Sequence, residues 1–112
     1  MRRGTTPTIN ISIDYASYDI ARAFISIAQG GKLVIDKELT SDGVTIEDVT
    51  EGGTTTAIIH MTLSQEDTLA LSSGATAELQ VRALMDDGKA GASNIFKLNV
   101  ARILKDGVIT EA

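Results

Sequence analysis

Asp86, Asp87, Gly88 and Lys89 stand together in the stretch ALMDDGKAGASNIF, Ala83 to Phe96. Two carboxylates beside a Gly-Lys pair could hold a metal or a phosphate. The spacing argues otherwise. A calcium loop of the EF-hand kind alternates its acids with other residues, and here the two aspartates are adjacent. A P-loop around Gly88-Lys89 would need Gly at position 83 and Ser or Thr at position 90, and both are Ala. Gly31-Lys32 fails the same test, with Ser26 before it and Leu33 after it. What remains is Asp87-Gly88 between two alternating runs. That is a hairpin turn signal, because Gly accepts the positive φ such a turn demands.

His60 is the single histidine, and there is no cysteine. Zinc thiolate sites, thiol nucleophiles and disulfides are therefore excluded. Ser, His and Asp all occur, but no G-x-S-x-G marks them as a set. His60 lies among alternating strand residues, opposite the apolar side, and reads as a solvent-facing strand histidine. Asp36, Glu38, Asp42, Glu47 and Asp48 gather around one predicted hairpin. Carboxylates from neighbouring loops could bind calcium. Equally, they make a solvated acidic edge that discourages edge-to-edge pairing. The residues assign no catalytic group, cofactor or metal ligand.

Composition narrows the function classes further. The chain has 112 residues with 43% hydrophobic, the range of one folded domain. Aromatics are only 4% and Trp is absent, so aliphatic side chains must fill the core and an aromatic sugar platform is disfavoured. Ten basic residues against fifteen acidic ones give a net charge of −5. A nucleic-acid partner would need a concentration of Lys and Arg, which is not seen. No apolar run approaches the roughly 20 residues of a membrane helix, and no apolar segment follows Arg2-Arg3 as in a signal peptide. These features predict a soluble protein made in the cytoplasm.

The elements that must position these residues follow from periodicity. Residues 1–7 read as a mobile arm ending at Pro7. TINISID alternates Ile9, Ile11 and Ile13 against polar residues. IARAFISIAQ fits a helix face and a strand face equally, but its β-branched and aromatic content and the following Gly30-Gly31 favour a hairpin into KLVIDKEL. Asp42-Gly43 marks the next turn, VTIEDV a short strand, and TTTAIIHMTL a strand alternating Ala57, Ile59, Met61 and Leu63. Ser64 followed by Asp67 resembles a capping box, which predicts two helical turns over Gln65–Leu71. ATAELQVRALM and ASNIFKLNVARIL read as two long strands flanking the Asp87-Gly88 turn. The fold class is all-β: an antiparallel, immunoglobulin-like β-sandwich of about seven strands with one short helical turn, a barrel being the alternative. The domain is expected over 8–105, with a tail from 106. Ile11, Ile59, Leu79, Val81, Phe96 and Leu98 are expected to share one core.

MRRGTTP, LSQEDTLAL, ELQVRAL and DGKAGASNIFKLNVARILKDGVI, in that order, resemble a group of short proteins encoded in phages and prophages of Gram-positive bacteria. The resemblance covers most of the chain, least from Leu39 to Thr56. It implies a β-rich protein of a phage structural module, associated with the tail or baseplate. Its partners would be other virion proteins or further copies of itself, and its place the host cytoplasm and then the particle. The resemblance carries no enzymatic residues. Arg2 and Arg3, on an arm without an apolar pattern, are the expected contact points for a partner. The alternative function is a ligand-binding module, with or without calcium, that recognises a cell-surface polymer.

Overall fold

The computed structural model describes residues 1–39, 41 and 43–111. Alternation of apolar and polar residues becomes strands almost wherever it occurs: β1 (Thr8–Ile13), β2 (Ile20–Gln29), β3 (Lys32–Glu38), β4 (Val44–Glu51), β5 (Thr54–Thr62), β6 (Thr76–Met85), β7 (Ala90–Ala92) and β8 (Phe96–Asn99). A single 3₁₀ turn, Ser17–Asp19, precedes β2, and a helix α1 (Gln65–Leu69) joins β5 to β6. IARAFISIAQ is strand β2, and its inward side chains Ala23, Ile25 and Ile27 are fully buried. It turns into β3 through Gly30 and Gly31, both at positive φ.

Two antiparallel sheets face each other. One has the order β1-β5-β4. The other runs β3-β2-β6, with β7 and β8 sharing the far edge of β6. This is the strand order of an immunoglobulin-type sandwich from its second strand onward. Among the described residues, β1 has no strand on its outer side. The core lies between the sheets and is aliphatic. Ile11 and Ile59 of one sheet meet Ile25, Ile27, Leu79 and Val81 of the other. Each such side chain contributes about 1.5–3 kcal/mol on burial. None of the four aromatic residues is in the buried set.

Four expectations change. The last predicted strand is two, because the chain leaves the ladder at Ser93–Ile95, where the Ser93 hydroxyl accepts the Val81 N–H at 3.0 Å. The sheets thus hold eight strands. The helix is shorter than expected and ends at Leu69. Phe96 pairs with Leu79 and so faces inward, but it is 43% exposed, at a place where the sandwich gapes. Leu98, two residues on, packs against the core.

The arm is the fourth. Residues 1–7 are docked rather than free. The Met1 side chain packs on the core. Its ammonium donates to the Asn99 carbonyl at 2.6 Å, Arg2 forms a parallel bridge with Ala101, and Arg3 N–H donates to the Ala101 carbonyl at 3.0 Å. The tail is also tied, through an Arg3–Asp106 ion pair at 3.3 Å and reciprocal hydrogen bonds between Gln65 and the Ile109 backbone.

Candidate functional site

The Asp87-Gly88 segment closes the β6–β7 connection. Gly88 N–H donates to the Met85 carbonyl at 3.0 Å, and Met85 N–H donates to the Lys89 carbonyl at 2.8 Å. Gly88 has φ 87°, the left-handed region that L side chains avoid. The Asp87 carboxylate is spent locally, accepting the Lys89 N–H at 3.0 Å. That hydrogen bond holds the turn rather than a ligand.

The two arginines of the arm have internal work. Arg3 Nε donates to the Leu71 carbonyl at 2.6 Å, and a terminal nitrogen donates to Leu69 at 2.9 Å. These carbonyls end helix α1 and the turn after it, where a cation is favourable. Arg2 donates to the Arg102 carbonyl at 2.7 Å but remains exposed. The Thr68 hydroxyl, fully buried, donates to the Thr5 carbonyl at 2.9 Å and fastens the same segment from the helix side. Arg3 is therefore a structural clamp, and the arm is the seam between helix, last strand and tail.

His60 projects from the outer face of the three-stranded sheet. Its Nδ1 lies 2.6 Å from Asn10 Oδ1 and its Nε2 lies 2.9 Å from Glu47 Oε1. It lies on the solvent side of the sheet, opposite the apolar set as expected, and is half-buried between these neighbours. The acidic residues also have separate partners. Asp36 accepts from Ser26, Glu38 pairs with Arg22 at 2.8 Å, and Asp48 accepts both the hydroxyl and the N–H of Ser17. The Ser17 hydroxyl, with its backbone N–H, holds the Asp48 carboxyl below its ordinary range. The Arg22 hydrogen bond does the same for Glu38. Asp42 lies outside the described residues, and among those described no group of three His, Asp or Glu could hold a metal.

What the sequence did not reveal is a cleft between the sheets, about 300 Å³, beside the open side of β1. Ile13, Tyr15, Val81, Ala83, Asn94 and Phe96 are among the residues that line it. It brings together two of the four aromatic side chains, from chain positions 81 residues apart (96 − 15). Tyr15 and Phe96 are both more than two-fifths exposed. Further apolar side chains stand in the open nearby in sequence, Ile95 at 55% and Leu104 at 94%. Among the described residues that line the cleft, Asp14 is the one carboxylate, and His60 points away from it on the outer face. The lining offers ring faces, small polar groups and a carboxylate beside an open strand edge. No helix is long and apolar enough to cross a membrane among the described residues. Compared with protein-family models and with curated proteins, the chain finds no match.

Proposed function

We propose that this protein is a non-enzymatic structural or assembly component of a phage particle, associated with the tail or baseplate, and that it acts through contacts with other proteins. The observation that carries the contact role is the open side of the sandwich. There, among the described residues, β1 has no strand on its outer side, and Tyr15 and Phe96 stand exposed at the mouth of the cleft. Exposed apolar clusters rimmed by polar groups mark interaction sites, and an unpaired strand edge offers a partner a row of backbone donors and acceptors. The phage assignment comes from the segments MRRGTTP, LSQEDTLAL and DGKAGASNIFKLNVARILKDGVI. The docked arm moves the contact away from Arg2 and Arg3 toward the cleft. The test is capture of tail proteins from a lysate of the producing host. Wild type should retain a tail component, and Y15A/F96A, still folded, should lose it. Equal retention by both proteins would remove the cleft from the account.

The cleft also favours a second reading, a module that binds a cell-surface polymer. Two rings and the Asn94 amide in one groove are the kind of lining a sugar chain uses. Retention on host cell-wall polymer, lost in Y15A/F96A and indifferent to chelator, would select it over the first.

A further inference from the structure

The two ends of the sandwich differ in charge. One end holds the cleft, the 3₁₀ turn, the β4–β5 hairpin and the β6–β7 connection. Asp14, Asp19, Asp48, Glu51, Asp86 and Asp87 are exposed there. Among the described residues they are opposed by Lys89, since Arg22 is already paired with Glu38. The other end holds the arm, α1, the β2–β3 hairpin and the segment after β8. Arg2, Lys32, Arg102 and Lys105 are exposed there, opposed by Glu66 and Glu111, while Asp106 and Asp67 are paired with Arg3 and Lys37. Glu78 and Lys97 stand opposite each other on β6 and β8 and cancel. The cleft end is thus left with an excess of acids and the arm end with an excess of bases. Apolar groups are open at both ends as well. Leu104, 94% exposed, stands in the run Arg102-Ile103-Leu104-Lys105, an aliphatic side chain between two exposed cations. The cleft offers the counterpart, two exposed rings with the Asp14 carboxylate in the same lining.

We infer that the cleft receives the segment around Leu104 of a second copy of the chain, so that copies join head to tail. The inference rests on the contact role proposed for the cleft and names its partner; it does not need a phage particle. A copy cannot fill its own cleft this way. Ala101 is held by Met1 and Ile109 by Gln65, which keeps Leu104 at the arm end. The cleft opens at the far end of β1, six residues or about 20 Å along the strand. Between copies the fit is complementary twice over. Leu104 enters between Tyr15 and Phe96, while Arg102 and Lys105 come to Asp14 and the acids of that end. The segment lies outside the strands, so its backbone is available to the open side of β1. Pairing like ends would instead set acids against acids or bases against bases. Donor and acceptor are therefore different surfaces, and each bound copy still offers one of each. Such a heterologous contact continues from copy to copy, and closes only if its rotation makes a ring.

Sedimentation equilibrium of the purified protein tests this with two variants. L104D spoils the donor and keeps the cleft, and its site is too exposed for the change to disturb the fold. Y15A/F96A spoils the cleft and keeps the donor. The wild-type mass should rise with concentration past twice the 11.8 kDa of one chain, and the association should weaken with salt. Each variant alone should self-associate on the order of tenfold or more weakly, and so should R102E/K105E. Mixing L104D with Y15A/F96A should give a dimer that grows no further, because one intact donor meets one intact cleft and both outer ends are spoiled. Loss of folding could not produce that result. A monomeric wild type overturns the inference, as does an association that stops at a dimer or that L104D leaves unchanged. A monomeric wild type together with capture of a tail component that Y15A/F96A loses would overturn self-docking and leave the contact role of the cleft standing.

Discussion

Arg3 shows how far a single side chain can act from its own place in the chain. Its guanidinium reaches carbonyls at Leu69 and Leu71, more than sixty residues away, and pairs with Asp106. Arg3→Ala should lower stability by about 1.5–3 kcal/mol, the range for hydrogen bonds to a charged group, measured by urea denaturation. Arg3→Lys should recover only part of this, since an ammonium lacks the fork that serves two carbonyls. Gly43 and Gly88 are two positions where the backbone calls for glycine, both at positive φ. A Cβ on Gly43 would lie 2.8 Å from the Thr62 carbonyl oxygen, at φ 81°. Gly88 has open space around it and only its φ to constrain it. Gly88→Val should therefore cost about 1–3 kcal/mol from strain alone, and Gly43→Ala should cost at least as much because its clash is with backbone. Phe96→Ala should cost well under the roughly 3–5 kcal/mol of a buried ring, because the ring is already 43% exposed. A full-sized loss would mean that the cleft is closed in solution. The Asp87-Gly88 turn was legible because its signal is local, two adjacent residues between alternating runs. The Arg3 clamp was not, since nothing near position 3 points to a carbonyl near position 70.

At the scale of elements, α1 is set by its first turn. The Ser64 hydroxyl accepts the Asp67 N–H at 3.1 Å, and the Asp67 carboxylate accepts the Ser64 N–H at 2.9 Å, both halves of a capping box. Lys37, on the inward side of edge strand β3, reaches Asp67 at 3.1 Å and ties the helix to the sheet. Burial alone would raise the Asp67 carboxyl, yet the Ser64 N–H and the Lys37 ammonium together hold it below its ordinary value. Asp48 and Glu38 are also depressed. A depressed carboxyl binds fewer protons folded than unfolded. Its contribution is therefore fully present above the unfolded value of about pH 4 and is lost as pH falls through the lower folded values. The urea midpoint should hold from neutral pH to about pH 5 and then decline, and Asp67→Asn should flatten that decline. Ser64→Ala should cost about 1 kcal/mol. The capping box was visible as Ser64 and Asp67 three residues apart, and so were β2 and β3 with Gly30-Gly31 between them. The break between β7 and β8 was not visible. The alternation runs on through Asn94, and side-chain bonds interrupt the ladder there: the Ser93 hydroxyl accepts the Val81 N–H, and the Gln80 amide donates to the Ser93 carbonyl.

At the scale of the whole molecule, the sandwich was readable because inward residues repeat with period two. Ile11, Ile59, Leu79 and Val81 all lie in the buried cluster, and Leu98 packs against it. The gape beside β1 was not readable. It depends on which strands lie at the open edge of each sheet, a property of topology and not of any segment. Phe96 therefore had the right face and the wrong surroundings. As proposed, the molecule works as a fixed part of a particle, through surfaces such as the cleft. Quantitative mass spectrometry of gradient-purified particles from the producing host tests that most directly. The protein should appear in the intact particle fraction, at a constant copy number relative to the tail proteins. Its presence in the lysate but absence from every particle and tail-assembly fraction would rule out a role as a particle component.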